Sequence, residues 1–237
     1  MPKKAKAVKP AASKKTAGKT KSAKSKPVVA TKPKKAKALK RKTPKVTAPV
    51  VPETAQLLSS EVIFEGPLFR VLRDRLIEPG GTESTRDVIR HNGSVVILAV
   101  DNAKNKKDPW VVMERQYRHA ANRFLWELPA GKLDAGEDAL EGAKRELAEE
   151  TGYIAKKWKP LVEYFASPGF LGESMKVFLA EGLVAGDAHP EDDEQIEIRL
   201  VKLSEVVKMI EKGAIQDGKT LTSALLYARK MARKQKV

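Results

Sequence analysis

The chain of 237 residues contains no cysteine and no long apolar run, and each absence excludes a class of chemistry or location. Without cysteine there is no disulfide, no thiolate nucleophile and no cysteine-based zinc site. No segment approaches the roughly 18 consecutive apolar residues of a membrane-spanning helix. The positively charged start is not followed by the apolar segment of a secretory signal. We therefore expect a cytoplasmic protein.

The N-terminal part also lacks acidic residues. Residues 1–52 contain seventeen Lys and one Arg, and the first acid is Glu53. The rest of the chain is almost neutral, with 28 Lys and Arg against 30 Asp and Glu, so the net charge of +16 arises from this segment. Residues 1–57 are rich in Lys, Ala and Pro and bury too little apolar surface to offset chain entropy, which predicts a disordered basic tail.

The cations of residues 1–52 are numerous enough to neutralise several phosphates of DNA or RNA in a salt-sensitive, sequence-independent way. Such a contact would place the protein at the nucleoid. A solubilising extension and a contact with an anionic membrane are the alternatives.

Beyond the tail, the apolar patterns and turn signals predict a small antiparallel β region at 58–92 and a larger domain at 93–237. Strands and helices do not alternate regularly, which favours the α+β class over a doubly wound sheet. Strands are predicted at 61–65, 68–77, 85–91, 94–100, 110–117, 161–165, 175–181 and 196–203. Helices are predicted at 137–151, at 204–213 with Ser204 as its N-cap, and at 219–233.

A cluster of glutamates in the helix at 137–151 is the strongest chemical signal. Glu149 and Glu150 lie three and four residues after Glu146, so at about 3.6 residues per turn the three carboxylates share one face. Such like-charge pairs destabilise a helix by a few tenths of a kcal/mol each. A bound Mg²⁺ would turn this repulsion into a favourable interaction, because it binds carboxylate and phosphate oxygens together. A solvated acidic face is the alternative interpretation of the charges alone.

The spacing around these glutamates resembles the Nudix box. From Gly131 the sequence has five residues, Glu137, seven residues, Arg-Glu, an aliphatic residue, any residue, Glu-Glu, any residue and Gly152. The one departure is Tyr153, where the box has an aliphatic residue. The resemblance implies a Nudix-type α/β/α sandwich with a mixed β-sheet, and a metal-dependent hydrolase of nucleoside diphosphate derivatives.

The resemblance also implies how the metal is held. Glu146 and Glu150 would be the main ligands of Mg²⁺, for which Mn²⁺ can substitute. Glu149 would be a further ligand or the catalytic base. The carbonyl of Ala130 would offer another metal-binding oxygen.

Four further positions of the box would support this site rather than bind the metal. Glu137 and Arg145 would hold the loop against the helix through a salt bridge. Gly131 and Gly152 are the fixed glycines of the box, one before the helix and one at its end.

Features outside the box resemble the ADP-ribose pyrophosphatase branch of this family. These are Arg-Gln-Tyr-Arg at 115–118, Trp-Glu-Leu-Pro-Ala-Gly at 126–131, Ser-Pro-Gly-Phe at 167–170 and Asp-Gly-Lys-Thr at 217–220. Pro168 lies sixteen residues after Gly152, which is a mark of that branch. The resemblance implies hydrolysis of ADP-ribose to AMP and ribose 5-phosphate. One alternative is that the hydrolase acts on another nucleotide sugar or on a damaged nucleotide. A second alternative is a nucleic-acid-binding protein with an idle Nudix domain.

Within that branch, Arg118 would clamp the diphosphate, because its guanidinium matches phosphate oxygens. Glu127 would reach the substrate or a dimer partner. Glu173 is expected in a loop, from which its carboxylate closes over the site as general base or extra metal ligand. The branch also implies a homodimer in which the β region 58–92 exchanges between subunits.

Overall fold

The computed structural model describes residues 54–67, 69–189 and 195–234. All of them fall within one compact unit, Pro49–Val237. Almost the whole predicted disordered tail, 1–57, lies outside the described residues. In the described part of the chain, no helix combines the length and apolarity needed to cross a membrane.

The described residues form ten strands, three helices and one 3-10 turn at His119–Ala121. The strands are β1 (Gln56–Glu65), β2 (Arg70–Ile77), β3 (Glu83–Ile89), β4 (Ser94–Asp101), β5 (Trp110–Arg118), β6 (Arg123–Glu127), β7 (Ala130–Lys132), β8 (Tyr153–Ser167), β9 (Leu171–Ala185) and β10 (Glu197–Lys202). The helices are α1 (Ala139–Thr151), α2 (Leu203–Glu211) and α3 (Gly218–Lys234).

One mixed sheet contains all ten strands, which confirms the predicted α+β class. Its main path is β1-β2-β3-β9-β4-β5-β10, with β6 on β5, β7 on β4 and β8 on β9. The β4–β9 and β3–β9 ladders are parallel, and the other pairs are antiparallel. The β1–β3 region joins the larger sheet through one residue pair, Ile89 with Leu171. The domain boundary at 92/93 stays a prediction.

Strand β4 separates the two halves of the core, because its side chains alternate between the faces of the sheet. Val96 and Leu98 belong to the cluster that packs against α2 and α3. Val95 and Ile97 belong to the cluster that packs against α1. Residues 95–100 are all fully buried. Helices thus cover both faces of the sheet, as in the predicted α/β/α sandwich.

Two predicted helix starts are wrong, and capping side chains explain both. Helix α1 begins at Ala139 rather than Glu137, because the Asp138 carboxylate accepts hydrogen bonds from the first free backbone N–H groups. Helix α2 begins at Leu203, so Ser204 lies inside it and is not its N-cap. Its backbone N–H and its hydroxyl instead donate to Asp108, from the loop after β4, at 2.9 and 2.8 Å.

Candidate active site

The three glutamates of α1 line a cleft of about 760 Å³ beside strand β7. Arg118, at the end of β5, lines the same cleft. The full lining comprises Arg118, Ala130, Gly131, Lys132, Asp134, Arg145, Glu146, Glu149, Glu150 and His189. The structure therefore brings most of the residues that the sequence singled out to one place.

Gly131 leaves room for the Glu146 carboxylate to lie against the backbone of β7. A Cβ atom at position 131 would lie 1.9 Å from Cδ of Glu146 and 2.0 Å from its Oε1. A side chain at this position and the observed Glu146 carboxylate therefore exclude each other. Gly131 thus sets where this carboxylate can be.

Glu150 occupies the inner end of the cleft and is 5% exposed. Its Oε2 accepts a hydrogen bond from the backbone N–H of Ala130 at 3.1 Å. The same short strand, β7, thus fixes Glu150 through Ala130 and accommodates Glu146 through Gly131. Helix α1 and strand β7 together position two of the predicted ligands.

Arg145 binds the acidic groups around it on several sides. Its Nε donates to Glu137 Oε1 at 3.0 Å, and its Nη1 lies 2.9 Å from both Glu146 Oε1 and Glu149 Oε2. The hydrogen bond from Arg145, helped by one from the Asp134 backbone N–H, lowers the pKa of Glu137 below its ordinary value. The bond to Glu137 likewise raises the pKa of the Arg145 guanidinium. The predicted salt bridge between Glu137 and Arg145 is present.

The groups predicted to bind the metal are the carboxylates of Glu146, Glu149 and Glu150 and the carbonyl of Ala130. All of them offer oxygen atoms, which are the ligands that Mg²⁺ prefers. Across the described ranges, no three acidic or histidine side chains already converge on one point as a metal-ligand group. Glu146 and Glu149 face Arg145 instead. Both carboxylates also line the cleft, so the donor set fits a divalent ion bound there.

Gly152 ends α1 with φ +70°, a conformation that glycine adopts without strain. A Cβ atom here would lie 2.6 Å from the carbonyl oxygen of Gly186. Close packing and backbone conformation therefore both require glycine. The position holds the end of α1 against the segment after β9.

Arg118 and Glu127, which were both predicted to bind substrate, bind each other. Nε and Nη2 of Arg118 donate to the two carboxylate oxygens of Glu127 at 3.0 and 2.9 Å. Lys219 of α3 also contacts Glu127 Oε2. Burial raises the pKa of Glu127, but the hydrogen bond from Arg118 and the charge of Lys219 outweigh it and hold that pKa below its ordinary value. Glu127 is 1% exposed. Its predicted contact with the substrate or a dimer partner stays a prediction.

Glu173 lies in strand β9, so its predicted position in a loop is wrong. Leu171 and Ser174, on either side of Glu173, pair with β8, and a register shift in that ladder lies between them. Ser94 Oγ donates to Glu173 Oε1 at 2.5 Å. Glu173 lines a small cavity of about 150 Å³ that shares Arg118 and residues 130–132 with the main cleft. Its catalytic role stays a prediction.

Several residues near the cleft were not singled out from the sequence. Lys132, Asp134 and His189 line it, and Lys219 lines the adjoining cavity. The backbone N–H of His189 donates to the carbonyl of Glu149 at 2.8 Å. Lys132 and Asp134 occupy positions that the box leaves open to any residue, so the motif did not mark them. His189 and Lys219 belong to other segments, and only the Asp-Gly-Lys-Thr pattern at 217–220 gave a signal for one of them.

A sandwich whose acidic helix and cationic rim share one cleft has the features of an enzyme that binds phosphate groups through a divalent cation. The NUDIX domain family model matches residues 90–223. ADP-ribose pyrophosphatase from Bacillus subtilis (strain 168) is 37% identical over 166 residues, which are 69% of this chain and 86% of that relative. The chain belongs to the Nudix family, and it is a Nudix hydrolase.

Two further comparisons agree with this assignment. ADP-ribose pyrophosphatase from Mycobacterium tuberculosis (strain ATCC 25618 / H37Rv) is 46% identical over 129 residues, covering 54% of this chain and 60% of that relative. The crystal structure of an ADP compounds hydrolase matches with a TM-score of 0.66, over 78% of this chain and 98% of that chain. At 18% identity, that match supports the fold alone.

Proposed function

We propose that this Nudix hydrolase cleaves the diphosphate bond of ADP-ribose, giving AMP and ribose 5-phosphate. The observation that carries the proposal is the shared cleft, in which the carboxylates of Glu146, Glu149 and Glu150 lie near the Arg118 guanidinium. Its volume of about 760 Å³ is suited to a ligand of nucleotide size. The two relatives named as ADP-ribose pyrophosphatases support this substrate.

Mg²⁺ bound by Glu146, Glu149 and Glu150, with the Ala130 carbonyl as a further ligand, would offset the diphosphate charge and acidify a bound water. The chain's own groups do the rest. Arg118 binds diphosphate oxygens with its guanidinium. A carboxylate takes the proton as the water oxygen bonds to phosphorus, the bridging P–O bond breaks, and its electron pair leaves with the other phosphate.

Glu149 and Glu173 are the two candidates for that base. Glu149 lies in the main cleft with its side chain 46% exposed. Glu173 lies in the adjoining cavity with its side chain 17% exposed. Replacing the base with glutamine should remove the acidic limb of the pH–rate profile, whereas the same change at the other glutamate should leave that limb in place.

A substrate panel with Mg²⁺ tests the proposed activity. ADP-ribose, ADP-glucose, GDP-mannose and 8-oxo-dGTP would be supplied at equal concentrations, with the product nucleotide quantified by chromatography. We expect the highest kcat/KM for ADP-ribose, with AMP and ribose 5-phosphate in equal amounts. A preference for ADP-glucose or GDP-mannose would move the assignment to another nucleotide sugar, and a preference for 8-oxo-dGTP to a damaged nucleotide.

We also propose a homodimer formed through the β1–β3 region. Strand β1 is an edge strand of the sheet, and large apolar side chains along it are 40–52% exposed, namely Leu57, Leu58, Val62, Ile63 and Phe64. An exposed edge of this kind offers unpaired backbone groups and apolar surface with which another chain can pair. Light scattering should give twice the chain mass of 26.1 kDa. A monomer mass at micromolar concentration would contradict the proposal.

The basic segment 1–52 is proposed to bind nucleic acid without sequence preference, through its eighteen cations. A cytoplasmic location in contact with the nucleoid is part of the same proposal. A gel shift at low salt would compare the full chain with a variant that lacks residues 1–53, which keeps β1 intact because that strand begins at Gln56. Only the full chain should retard DNA. Equal retardation would discard the idea.

A further inference from the structure

Lys219 occupies a position that helix stability does not explain. It is the second residue of α3, at the end where the helix dipole is positive and a cation is unfavourable. Its side chain is only 10% exposed, so its charge also loses hydration. The compensation comes from two carboxylates, Glu127 and Asp217, which lies 3.2 Å away.

Hydrogen bonds around the first turn of α3 hold Lys219 beside Glu127. The Thr220 hydroxyl donates to Asp217 Oδ2 at 2.6 Å and accepts from the backbone N–H of Leu128 at 2.8 Å. Leu128 directly follows Glu127, so this pair of bonds ties the start of α3 to the end of β6. None of these contacts involves Arg118.

Glu127 therefore has an inner and an outer cation. The inner one, Lys219, is 10% exposed, while the outer one, Arg118, is 38% exposed and lines the main cleft. A buried carboxylate that loses its only cation is strongly destabilised. With Lys219 in place, Arg118 can leave Glu127 without that penalty.

We propose that Lys219 is a positioning residue that keeps Glu127 compensated, so that Arg118 is free to turn from Glu127 to the substrate diphosphate. The inference rests on the proposed function, in which Arg118 binds that diphosphate. Without Lys219, Glu127 would retain Arg118 as its only cation. Substrate would then bind only to the minority of molecules in which Arg118 is released.

The test is a double-mutant cycle with Lys219→Met and Glu127→Gln. In Lys219→Met, the KM for ADP-ribose should rise by about tenfold or more with a much smaller change in kcat, since apparent affinity falls with the binding-competent fraction. In the double variant, the neutral amide at position 127 no longer retains Arg118, and KM should return to within about threefold of wild type. Titration calorimetry of ADP-ribose in EDTA should show the same pattern in Kd without turnover.

The alternative roles of Lys219 give different results. If Lys219 were only structural, or if it bound substrate directly, Glu127→Gln would not restore KM or Kd, and the inference would be overturned. Lys219→Arg, which keeps the charge, should retain a near-normal KM, so a tenfold rise there would also contradict it. Lys230→Met changes an exposed lysine of the same helix and should leave both constants unchanged.

Thermal unfolding of each variant separates loss of folding from loss of affinity. If Lys219→Met alone does not fold, the double variant and Lys219→Arg still decide the matter through their Kd values. A wild-type protein that does not hydrolyse ADP-ribose would count against the proposed function. An active wild type without rescue in the double variant would count against the role of Lys219.

Discussion

Replacing Gly131 with alanine would place a methyl carbon 1.9 Å from Cδ of Glu146, inside the 3.0 Å that real Cβ atoms keep from other heavy atoms. The Glu146 carboxylate must therefore move by about 1 Å or more. It is the far end of a flexible side chain, so the fold can accommodate the movement. The variant thus separates the position of one predicted metal ligand from the stability of the protein.

Stability should change little, because two small effects oppose each other. Alanine restricts the unfolded chain and favours folding by about 0.4–1 kcal/mol. Moving the Glu146 carboxylate out of its contact with β7 opposes this gain. A net change within about 1 kcal/mol corresponds to roughly 2–4 °C in Tm for a domain of this size. Turnover should fall by about 100-fold, since a 1 Å misplacement of a catalytic group has that effect.

The assay measures Mg²⁺-dependent kcat/KM for ADP-ribose together with Tm. Gly80→Ala is the matched control, because nothing lies within 4 Å of a Cβ atom built there. The kcat/KM and the Tm of Gly80→Ala should both stay at wild-type values. Full activity of Gly131→Ala would refute the assignment of Glu146. If a large fall in Tm accompanies the loss of activity, the substitution has disrupted the fold around residue 131, and the loss cannot be assigned to the Glu146 carboxylate.

Three further predictions test other parts of the structure. Glu150→Gln should abolish Mg²⁺-dependent turnover while leaving any DNA retardation intact; activity that survives would show that the metal assignment is wrong. Glu137 has a lowered pKa in the folded protein, so the stability it contributes is present above its ordinary value of 4.5 and lost as pH falls through the lower folded value. Urea unfolding should therefore show a smaller acid destabilisation for Glu137→Gln than for wild type, and equal curves would contradict this. Asp108→Ala removes the acceptor for the first turn of α2 and should lower the free energy of unfolding by about 1 kcal/mol, and an unchanged urea midpoint would contradict the capping role.

The sequence predicted most of this site because its central contacts are local. Glu146, Glu149 and Glu150 lie within two helical turns, so helical geometry alone places them on one face. Glu137 and Arg145 are eight residues apart within the same motif. The family resemblance then supplied the expected roles of these residues.

What the sequence did not predict depends on contacts between distant segments. Ser94 and Glu173 are 79 residues apart, and Lys219 and Glu127 are 92 apart, so no local pattern connects them. Strands β6 and β7 have only five and three residues, and pairing with β5 and β4 defines them more than their own composition. Glu173 was expected in a loop because the long β8–β9 pairing is likewise non-local.

Binding of Mn²⁺ as a substitute for Mg²⁺, followed by electron paramagnetic resonance, tests the central claim directly. Wild-type protein should bind Mn²⁺ more tightly with a nucleoside diphosphate present, and replacing Glu146 and Glu150 with glutamine should weaken that binding by about 100-fold or more. Equal binding by wild type and this variant, or no binding by wild type even with ADP-ribose, would contradict a metal-dependent hydrolase site on α1.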